Sequence, residues 1–339
     1  MTGTPAISVL MTVYNAGRHL GPAIDSILSQ SFRDYEFIIV DDASTDGSLD
    51  LLRRYQEVDT RVRLIENTEN KGQTACLNQG LREARGKWIA RQDADDISLP
   101  RRLAAQWHAT CESPELVLVG VNGWIIDGEG AVTGMIHAPL HDAGIRWAMP
   151  WRNPFIHTGV MFRAGDWLYD EAFRICQDWE FWSRLAERGC LMNLPNRLVA
   201  YRHNDHSLSH TSKEKTEAES TQIVERIWIK TFSKVSPRQE LLKNFREGLS
   251  VENRRAFWKY YNNFRKQWTG GSIRQAVAVH RIQAAGAYSK RNLWTLILEV
   301  GLAFCDSQTF VLGVLWDCRK FLEEFKSKSD LQKKDFLIL

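Results

Sequence analysis

The chain has 339 residues, of which 44% are hydrophobic and 25% are charged. This composition excludes disorder, collagen and coiled coil for the chain as a whole, and the length predicts one large domain with an appended region. The net charge of +3 hides an asymmetry: residues 1–212 carry 21 Lys and Arg against 27 Asp and Glu, whereas residues 213–339 carry 23 against 14. The six cysteines include no Cys-x-x-Cys pair, which favours buried thiols in a reducing cytoplasm.

Strand and helix patterns alternate along the first part of the chain. Short apolar runs predict strands at 7–13, 37–40, 62–65, 88–90 and 116–121. Helical spacing predicts helices around 23–28, 48–55, 74–84 and 101–109. This alternation predicts an α/β fold with a parallel sheet and helices on both faces. The Asp-Gly-Glu-Gly segment at 127–130 predicts a hairpin turn, and the alternation breaks down beyond it.

Beyond residue 212 the pattern becomes helical, so we expect an α/β domain at 1–212 and a helical C-terminal region at 213–339. Within it, the segment 293–325 is apolar and is followed by lysines. This stripe either packs on the α/β domain or lies on an anionic membrane surface. No secretory signal or apolar run of about 18 residues occurs, so we expect a cytoplasmic location, peripheral to the membrane if the stripe binds lipid. No nucleic-acid motif is present, and no nucleic-acid partner is expected.

Polar clusters follow three of the predicted strands. They are Tyr14-Asn15, Asp41-Asp42 and Asp93-Ala94-Asp95-Asp96. Ligands bind at the carboxyl ends of parallel strands, so we expect these clusters to converge. Three carboxylates within four residues repel one another unless a cation lies among them, which predicts Mg²⁺ or Mn²⁺. An acidic turn that caps the following helix is the alternative interpretation.

Segments spread over residues 5–210 resemble the family-two glycosyltransferases, which are inverting enzymes with the nucleotide-diphospho-sugar transferase (GT-A) fold. The matching segments are 7–15, 29–32, 40–44, 70–72 with Asn78, and 89–103. The resemblance implies a Rossmann-like, mainly parallel sheet with flanking helices, followed by the helical C-terminal region. It also implies a nucleotide-sugar donor, by default a UDP-sugar, and a glycan or lipid-linked sugar acceptor in polysaccharide biosynthesis at the cell envelope. The C-terminal region is a further candidate for binding that acceptor.

The resemblance also implies roles for single residues at the strand ends. Thr12 and Tyr14 match the pair that holds the nucleoside base, and Asp42 matches the carboxylate that recognises the base N–H. Asp93 matches the residue that binds ribose and nucleotide.

The same resemblance places the metal, Mn²⁺ or Mg²⁺, at the end of the acidic cluster. Asp95 matches the metal-binding end of the Asp-x-Asp motif, and Asp96 is a second candidate for that role. The sequence does not separate these two neighbours.

Asp178 is the expected catalytic base, because Gln177-Asp178 stands where the family often has Glu-Asp. Asp178, Phe181, Trp182 and Leu185 share one helical face, so the acid heads an apolar stripe that we expect to point inward. A first-turn acid favoured by the helix dipole is the alternative. Gln177 departs from the family pattern and leaves any role of the usual Glu unfilled.

Three histidines are further candidates. His157 is expected to brace the catalytic loop or, as the less favoured alternative, to touch a sugar hydroxyl. His203 and His206 flank Asn204, which occupies the position of a family histidine that faces the diphosphate or metal. For His203 and His206 a surface position without a ligand is the alternative.

Two other functions fit the same sheet. A non-catalytic scaffold with the GT-A fold is disfavoured because Asp42, Asp93, Asp95 and Asp178 are intact. A sugar nucleotidyltransferase would carry a glycine-rich phosphate loop after the first strand, where this chain has a single glycine, Gly17.

Overall fold

The structure, a computed structural model, describes residues 3–150, 152–203 and 212–232. Its strands are β1 (Ile7–Val13), β2 (Tyr35–Asp41), β3 (Val62–Glu66), β4 (Trp88–Asp93), β5 (Ile97–Ser98), β6 (Leu116–Ile126), β7 (Val132–Ile136), β8 (Met161–Arg163) and β9 (Cys190–Arg202). Its α-helices are α1 (Leu20–Leu28), α2 (Ser48–Val58), α3 (Gln73–Glu83), α4 (Arg102–Glu112), α5 (Asp142–Ala148), α6 (Gln177–Leu185) and α7 (Lys213–Phe232). Every predicted strand and helix of the first 121 residues is therefore confirmed, with ends that differ by a few residues.

The strands form one mixed sheet in the order β3-β2-β1-β4-β8-β6-β9-β5, with β7 paired to β6. The four strands from β3 to β4 run parallel, as the alternation predicts. Strand β8 then lies antiparallel between β4 and β6, and β9 runs parallel to β6. The predicted Rossmann-like α/β sheet is confirmed, and the antiparallel β8 marks the point where the strand–helix alternation ends.

The core lies on both faces of the parallel strands. All seven residues of β2 are buried, and in β1 only Thr12 is partly exposed. Strands covered by helices on both faces read as continuous apolar runs, because each face must be buried. Helix α1 contributes Ala23, Ile24 and Ile27, which are fully buried.

Strand register brings the polar clusters to one edge of the sheet. Thr12 near the end of β1 lies beside Val40 of β2 on one side and beside Asp93 of β4 on the other. Val13 pairs with Asp41 in the same register. The predicted convergence at the carboxyl ends of these strands is confirmed.

The hairpin predicted at 127–130 is also confirmed. Strands β6 and β7 pair antiparallel on either side of it, and the N–H of Gly130 donates to the carbonyl oxygen of Asp127 at 3.1 Å. Gly130 has φ +87°, a left-handed conformation that suits glycine.

Helix α7 packs on the α/β domain through Ile223 and Val224, which are buried. None of the helices within the described ranges combines the length and hydropathy needed to cross a bilayer. Residues 233–339 lie outside the described residues, and with them the apolar stripe predicted at 293–325. The domain boundary after residue 212 stays a prediction.

Candidate active site

Asp93 ends β4 and is held on two sides. Its Oδ1 accepts a hydrogen bond from Nη2 of Arg91 at 2.5 Å, and Arg91 is fully buried beneath it. The backbone N–H of Asp93 donates to the hydroxyl of Thr158 at 3.0 Å. The carboxylate keeps a fifth of its surface exposed, so it is fixed in place yet open to the edge of the sheet.

Asp95 and Asp96 follow in sequence but lie in different surroundings. Asp96 is 1% exposed, and its Oδ1 accepts the backbone N–H of Arg202 at 2.6 Å. Asp95 is only partly buried. Burial, together with the neighbouring Asp93 carboxylate, raises the pKa of Asp95 to about 6. The structure thus distinguishes two carboxylates that the sequence leaves equivalent.

The carboxylates of Asp93 and Asp95 fit a divalent cation, because burial and then the charge of Asp93 raise the pKa of Asp95, and a bound cation would favour the ionised form. No group of three His, Cys, Asp or Glu side chains suited to a metal occurs among the described residues. Mg²⁺ sites commonly use one or two protein carboxylates and complete the shell with water and substrate phosphates. The two acids therefore match the donor set of a site that is finished by a nucleotide.

Asp178 is the second residue of α6 and faces the same region. Its Oδ2 accepts a hydrogen bond from Nδ2 of Asn153 at 2.6 Å, and its Oδ1 accepts the N–H of Trp179 at 2.7 Å. Burial raises the pKa of Asp178 to about 6 despite these bonds, and the charge of Asp93 adds to the rise. The structure therefore brings Asp178 into the electrostatic field of the acidic cluster, although 85 positions separate it from Asp93.

The face of α6 that carries Asp178 points inward, as its apolar stripe predicts. Phe181, Trp182 and Leu185 are fully buried. Phe162 of β8 contacts both aromatic rings, with centroids 5.2 Å from Phe181 and 5.7 Å from Trp182. Gln177 is also buried and donates to the side-chain oxygen of Gln73 at 3.0 Å, so it joins α6 to α3.

His157 lies between Asp93 and α6. Nε of Arg91 donates to its Nε2 at 3.1 Å, which leaves the proton on Nδ1, 3.7 Å from Oδ2 of Asp93. The ring centroid is 6.2 Å from that of Trp182. Burial and the Arg91 charge lower the pKa of His157 to about 3. These contacts of a neutral imidazole fit the predicted role of His157 in holding the catalytic loop, which stays a prediction.

The residues predicted to hold the base lie at the same edge. Tyr14 is 54% exposed, and Thr12 is partly exposed. Asp42 is 3% exposed; its Oδ1 accepts the N–H of Lys71 at 2.8 Å and its Oδ2 the N–H of Gly72 at 2.9 Å. Asp42 therefore anchors the loop that precedes α3, a role that the sequence analysis missed, and its contact with a base stays a prediction.

The histidines after β9 are placed only in part. The backbone N–H of His203 donates to the carbonyl oxygen of Ile126 at 2.8 Å, which extends the pairing of β9 with β6. His206 lies outside the described residues. The predicted ligand roles of both histidines stay predictions.

Tyr201 is a site residue that the sequence analysis did not single out. Burial raises its pKa to about 12, and the charges of Asp96, Asp93, Asp95 and Asp178 act in the same direction. Its phenol therefore stays protonated in the midst of the acidic groups. The available signal was the Tyr201-Arg202 pair at the end of β9, where alternation along a strand turns the two side chains to opposite faces.

Comparison with known proteins identifies the family of the chain. The sequence model described as "Glycosyl transferase family 2" matches residues 8–169. EpsE of Bacillus subtilis (strain 168), named as a glycosyltransferase, is 37% identical over 196 residues, which cover 56% of this chain and 69% of EpsE. The chain belongs to glycosyl transferase family 2.

A more distant relative and a solved structure add detail about similar proteins. WfaP of Escherichia coli is 25% identical over 195 residues, covering 58% of this chain and 76% of WfaP, and is named a UDP-Glc:alpha-D-GlcNAc-diphosphoundecaprenol beta-1,3-glucosyltransferase. The crystal structure of S. aureus TarS 1-349 in complex with UDP-GlcNAc superposes with a TM-score of 0.52 at 14% identity, covering 88% of this chain and 90% of that one. The TarS likeness establishes the fold.

Proposed function

We propose that this glycosyltransferase moves a sugar, with inversion, from a nucleotide-diphosphate sugar to a hydroxyl of a glycan or lipid-linked acceptor. The observation that carries the proposal is the pairing of two kinds of carboxylate at one sheet edge. Asp93 and Asp95 are partly exposed acids suited to the donor and its metal. Asp178 is an acid oriented by hydrogen bonds, and its pKa is raised by burial and by the charge of Asp93.

Asp178 has the properties of a general base. A pKa of about 6 leaves it mostly ionised at neutral pH while making it more basic than an ordinary carboxylate, and such tuning is what proton abstraction requires. Asn153 holds Oδ2, so one lone-pair direction is fixed. In the proposed step Asp178 takes the proton of the acceptor hydroxyl as the oxygen attacks the anomeric carbon from the face opposite the diphosphate.

Asp93 and Asp95 are the residues that would hold Mn²⁺ or Mg²⁺ with the donor diphosphate. When bound, a divalent cation would neutralise the negative charge that develops on the departing phosphate. Asp96 is buried against Arg202, and we assign it to holding the acidic loop. Asp93, fixed by Arg91, is in a position to bind the ribose as well.

For the nucleoside we propose Tyr14 as the aromatic surface that lines the base, with Thr12 beside it. Asp42 is buried and fixes the Lys71–Gly72 backbone. Its Oδ1 also accepts a hydrogen bond from Nδ2 of Asn67 at 3.4 Å, so we propose Oδ2, which accepts the Gly72 N–H, as the oxygen with a lone pair left for the base.

The printed name of one relative supports a proposal for the donor and acceptor classes. WfaP uses UDP-glucose and a diphosphoundecaprenol-linked sugar by its name, and we propose a UDP-sugar donor and a lipid-linked or polysaccharide acceptor here. An acceptor of this class is met at a membrane, so we propose action at the inner face of the cytoplasmic membrane. The excess of Lys and Arg in residues 213–339 favours association with anionic lipid.

The test is release of nucleoside diphosphate from UDP-glucose, UDP-N-acetylglucosamine, UDP-galactose, GDP-mannose and dTDP-glucose. Each donor is incubated with the purified chain in Mn²⁺, in Mg²⁺ and in chelator. Metal-dependent release from one donor is the expected result. Absence of both release and nucleotide binding by calorimetry would instead identify a scaffold that retains the fold.

A further inference from the structure

Helix α7 lies beyond the residues that match the family, yet its Glu219 bonds to the segment that leads into α6. The carboxylate accepts three consecutive backbone N–H groups: that of Arg174 on Oε1 at 3.0 Å, and those of Ile175 and Cys176 on Oε2 at 2.9 and 2.8 Å. Cys176 directly precedes Gln177, the first residue of α6. One side chain therefore fixes the backbone immediately before the helix that carries Asp178.

Nothing within α6 replaces this contact. Its N-cap residue is Cys176, which makes no side-chain capping bond. Hydrogen bonds from N–H groups to a carboxylate are stronger than those to a neutral acceptor, and a negative charge at a helix N-terminus is favourable. Glu219 does not replace an N-cap side chain, which would accept an N–H of the first helical turn; it fixes the backbone of the N-cap residue Cys176 and of the two residues before it, from 43 positions away.

A second contact joins α7 to α6 about two turns further along α7. Nη1 of Arg226 lies 3.4 Å from Oε1 of Glu180 on α6 and 3.6 Å from Oδ2 of Asp170. Ile223, which is fully buried, lies between Glu219 and Arg226 along the inner face of α7. Helix α7 therefore packs against the domain through a buried apolar residue that has a charged contact on each side. These contacts fix the position of Glu219.

We propose that Glu219 is a positioning residue for sugar transfer, holding the start of α6 so that the carboxylate of Asp178 keeps its place beside the donor site. The inference rests on the proposed role of Asp178 as the base. Asp178 is attached to the rest of the site by its bond from Asn153, and its backbone is set by the segment that Glu219 holds. A displacement of about 1 Å in a catalytic group can lower a rate by about 100-fold.

The experiment compares Glu219→Ala with Glu217→Ala in the full chain. Glu217 lies on the same helix with an exposed side chain, and it serves as the matched control. Hydrogen exchange of the peptide spanning 174–178 is measured without substrate, and kcat and KM are measured with whichever donor of the panel above the native chain turns over. We expect Glu219→Ala to speed exchange at 174–176 by about ten-fold or more and to lower kcat by about 10- to 100-fold at nearly unchanged KM.

A double variant separates this inference from the proposed function. If Glu219 acts through Asp178, adding Glu219→Ala to Asp178→Asn lowers the residual rate no further, because the group that it positions is already gone. Full activity of Asp178→Asn would overturn the proposed base, whatever Glu219 does. Glu219→Ala with native kcat or native exchange at 174–176, alongside an inactive Asp178→Asn, would overturn the Glu219 inference alone.

A general loss of folding gives a different pattern. In that case kcat falls in proportion to the folded fraction, exchange rises throughout the domain, and Glu219→Gln behaves like Glu219→Ala. The positioning role predicts that Glu219→Gln, which keeps one acceptor oxygen, recovers part of kcat. Proportional loss without such recovery would overturn the proposal.

Discussion

The carboxylate of Asp96 accepts the backbone N–H of Arg202 at 2.6 Å and so ties the acidic loop after β4 to the end of β9. Arg202 returns the contact, since its Nε donates to the carbonyl oxygen of Asp95 at 2.9 Å. These two bonds hold the main chain of the loop while the side chain of Asp95 stays partly exposed. Of these two adjacent carboxylates, Asp96 makes a structural bond, and Asp95 is left for the ligand-binding role proposed above.

This division predicts opposite effects of two alanine substitutions. Asp96→Ala leaves the Arg202 N–H without its acceptor, which we expect to lower the free energy of unfolding by about 1–3 kcal/mol. Burial disfavours ionisation of both acids, so the expected difference depends on the hydrogen bond: Asp95→Ala leaves the bond from the Arg202 N–H to Asp96 in place, and its stability should equal or exceed that of the native chain. Urea denaturation measures both. Metal-dependent nucleotide binding should be abolished only in Asp95→Ala, and the reverse pattern would exchange the two assignments.

The raised pKa of Asp178 predicts a pH dependence of the rate. The base must be ionised to accept a proton, so kcat/KM should rise with pH and level off above a pKa near 6. A rate profile from pH 4.5 to 8.5, with donor stability checked at each pH, measures it. A rise in kcat/KM centred near pH 4, which is about the ordinary pKa of a carboxyl group, would contradict the raised pKa of Asp178.

The same pKa predicts how stability depends on Asp178. The pKa rises from 3.8 to about 6 on folding, so the folded state binds the proton more tightly than the unfolded state. The resulting stabilisation is complete below about pH 4 and is lost as the pH rises through 6. Asp178→Asn should therefore exceed the native chain in stability at pH 7.5, by a free energy on the order of 3 kcal/mol, and the two should converge near pH 4. A native chain that is the more stable at pH 7.5 would refute the shift.

The pKa of His157 predicts a dependence of stability on pH that is opposite in sign to that of Asp178. Its pKa falls from 6.5 to about 3 on folding, so the folded state binds the proton less tightly, and the stability that this gives above pH 6.5 is lost as the pH falls. Replacement by Gln removes the titrating group. The melting temperature of His157→Gln should fall less steeply between pH 6.5 and 4.5 than that of the native chain, and parallel slopes would argue against a buried neutral imidazole.

The backbone conformation of Gly72 predicts that a substitution at this position destabilises the loop that Asp42 anchors. Its φ of +88° and ψ of 154° fall in a region that is essentially restricted to glycine, and its N–H donates to Asp42. Gly72→Ala should lower the free energy of unfolding by about 1–3 kcal/mol. Gly21→Ala, a substitution within α1, is the control, because a Cβ there would lie at an ordinary contact distance of 3.7 Å from its nearest neighbour. Equal effects of the two substitutions would contradict this prediction.

Much of the parallel half of the fold could be predicted because its signals are local. An apolar run such as Ile7–Val13 is long enough to identify a buried strand, and strand ends then locate the polar clusters. Strand β8 could not be predicted from local sequence, since Met161–Arg163 has only three residues and its place between β4 and β6 depends on pairing with distant strands.

The site was predictable as a set of residues and less so as a set of contacts. The convergence of the polar clusters after β1, β2 and β4 followed from the strand–helix alternation, but the different surroundings of Asp95 and Asp96 depend on Arg202, 106 positions from Asp96. The contact of Glu219 with Cys176 likewise has no signal in the sequence, because glutamates are common in this helix and the three N–H partners of Glu219 belong to the backbone.

We propose that Asp95 and Asp178 have separate roles in one site, Asp95 in donor binding and Asp178 in proton abstraction. The most direct measurement is calorimetric binding of UDP, GDP and dTDP in Mn²⁺ to the native chain, Asp95→Ala and Asp178→Asn, with turnover of the active donor measured beside it. We predict that Asp178→Asn binds the same nucleoside diphosphate as the native chain while its turnover falls by about 10²- to 10⁴-fold, and that Asp95→Ala loses metal-dependent binding. Native turnover by Asp178→Asn, or unchanged metal-dependent binding by Asp95→Ala, would contradict the claim.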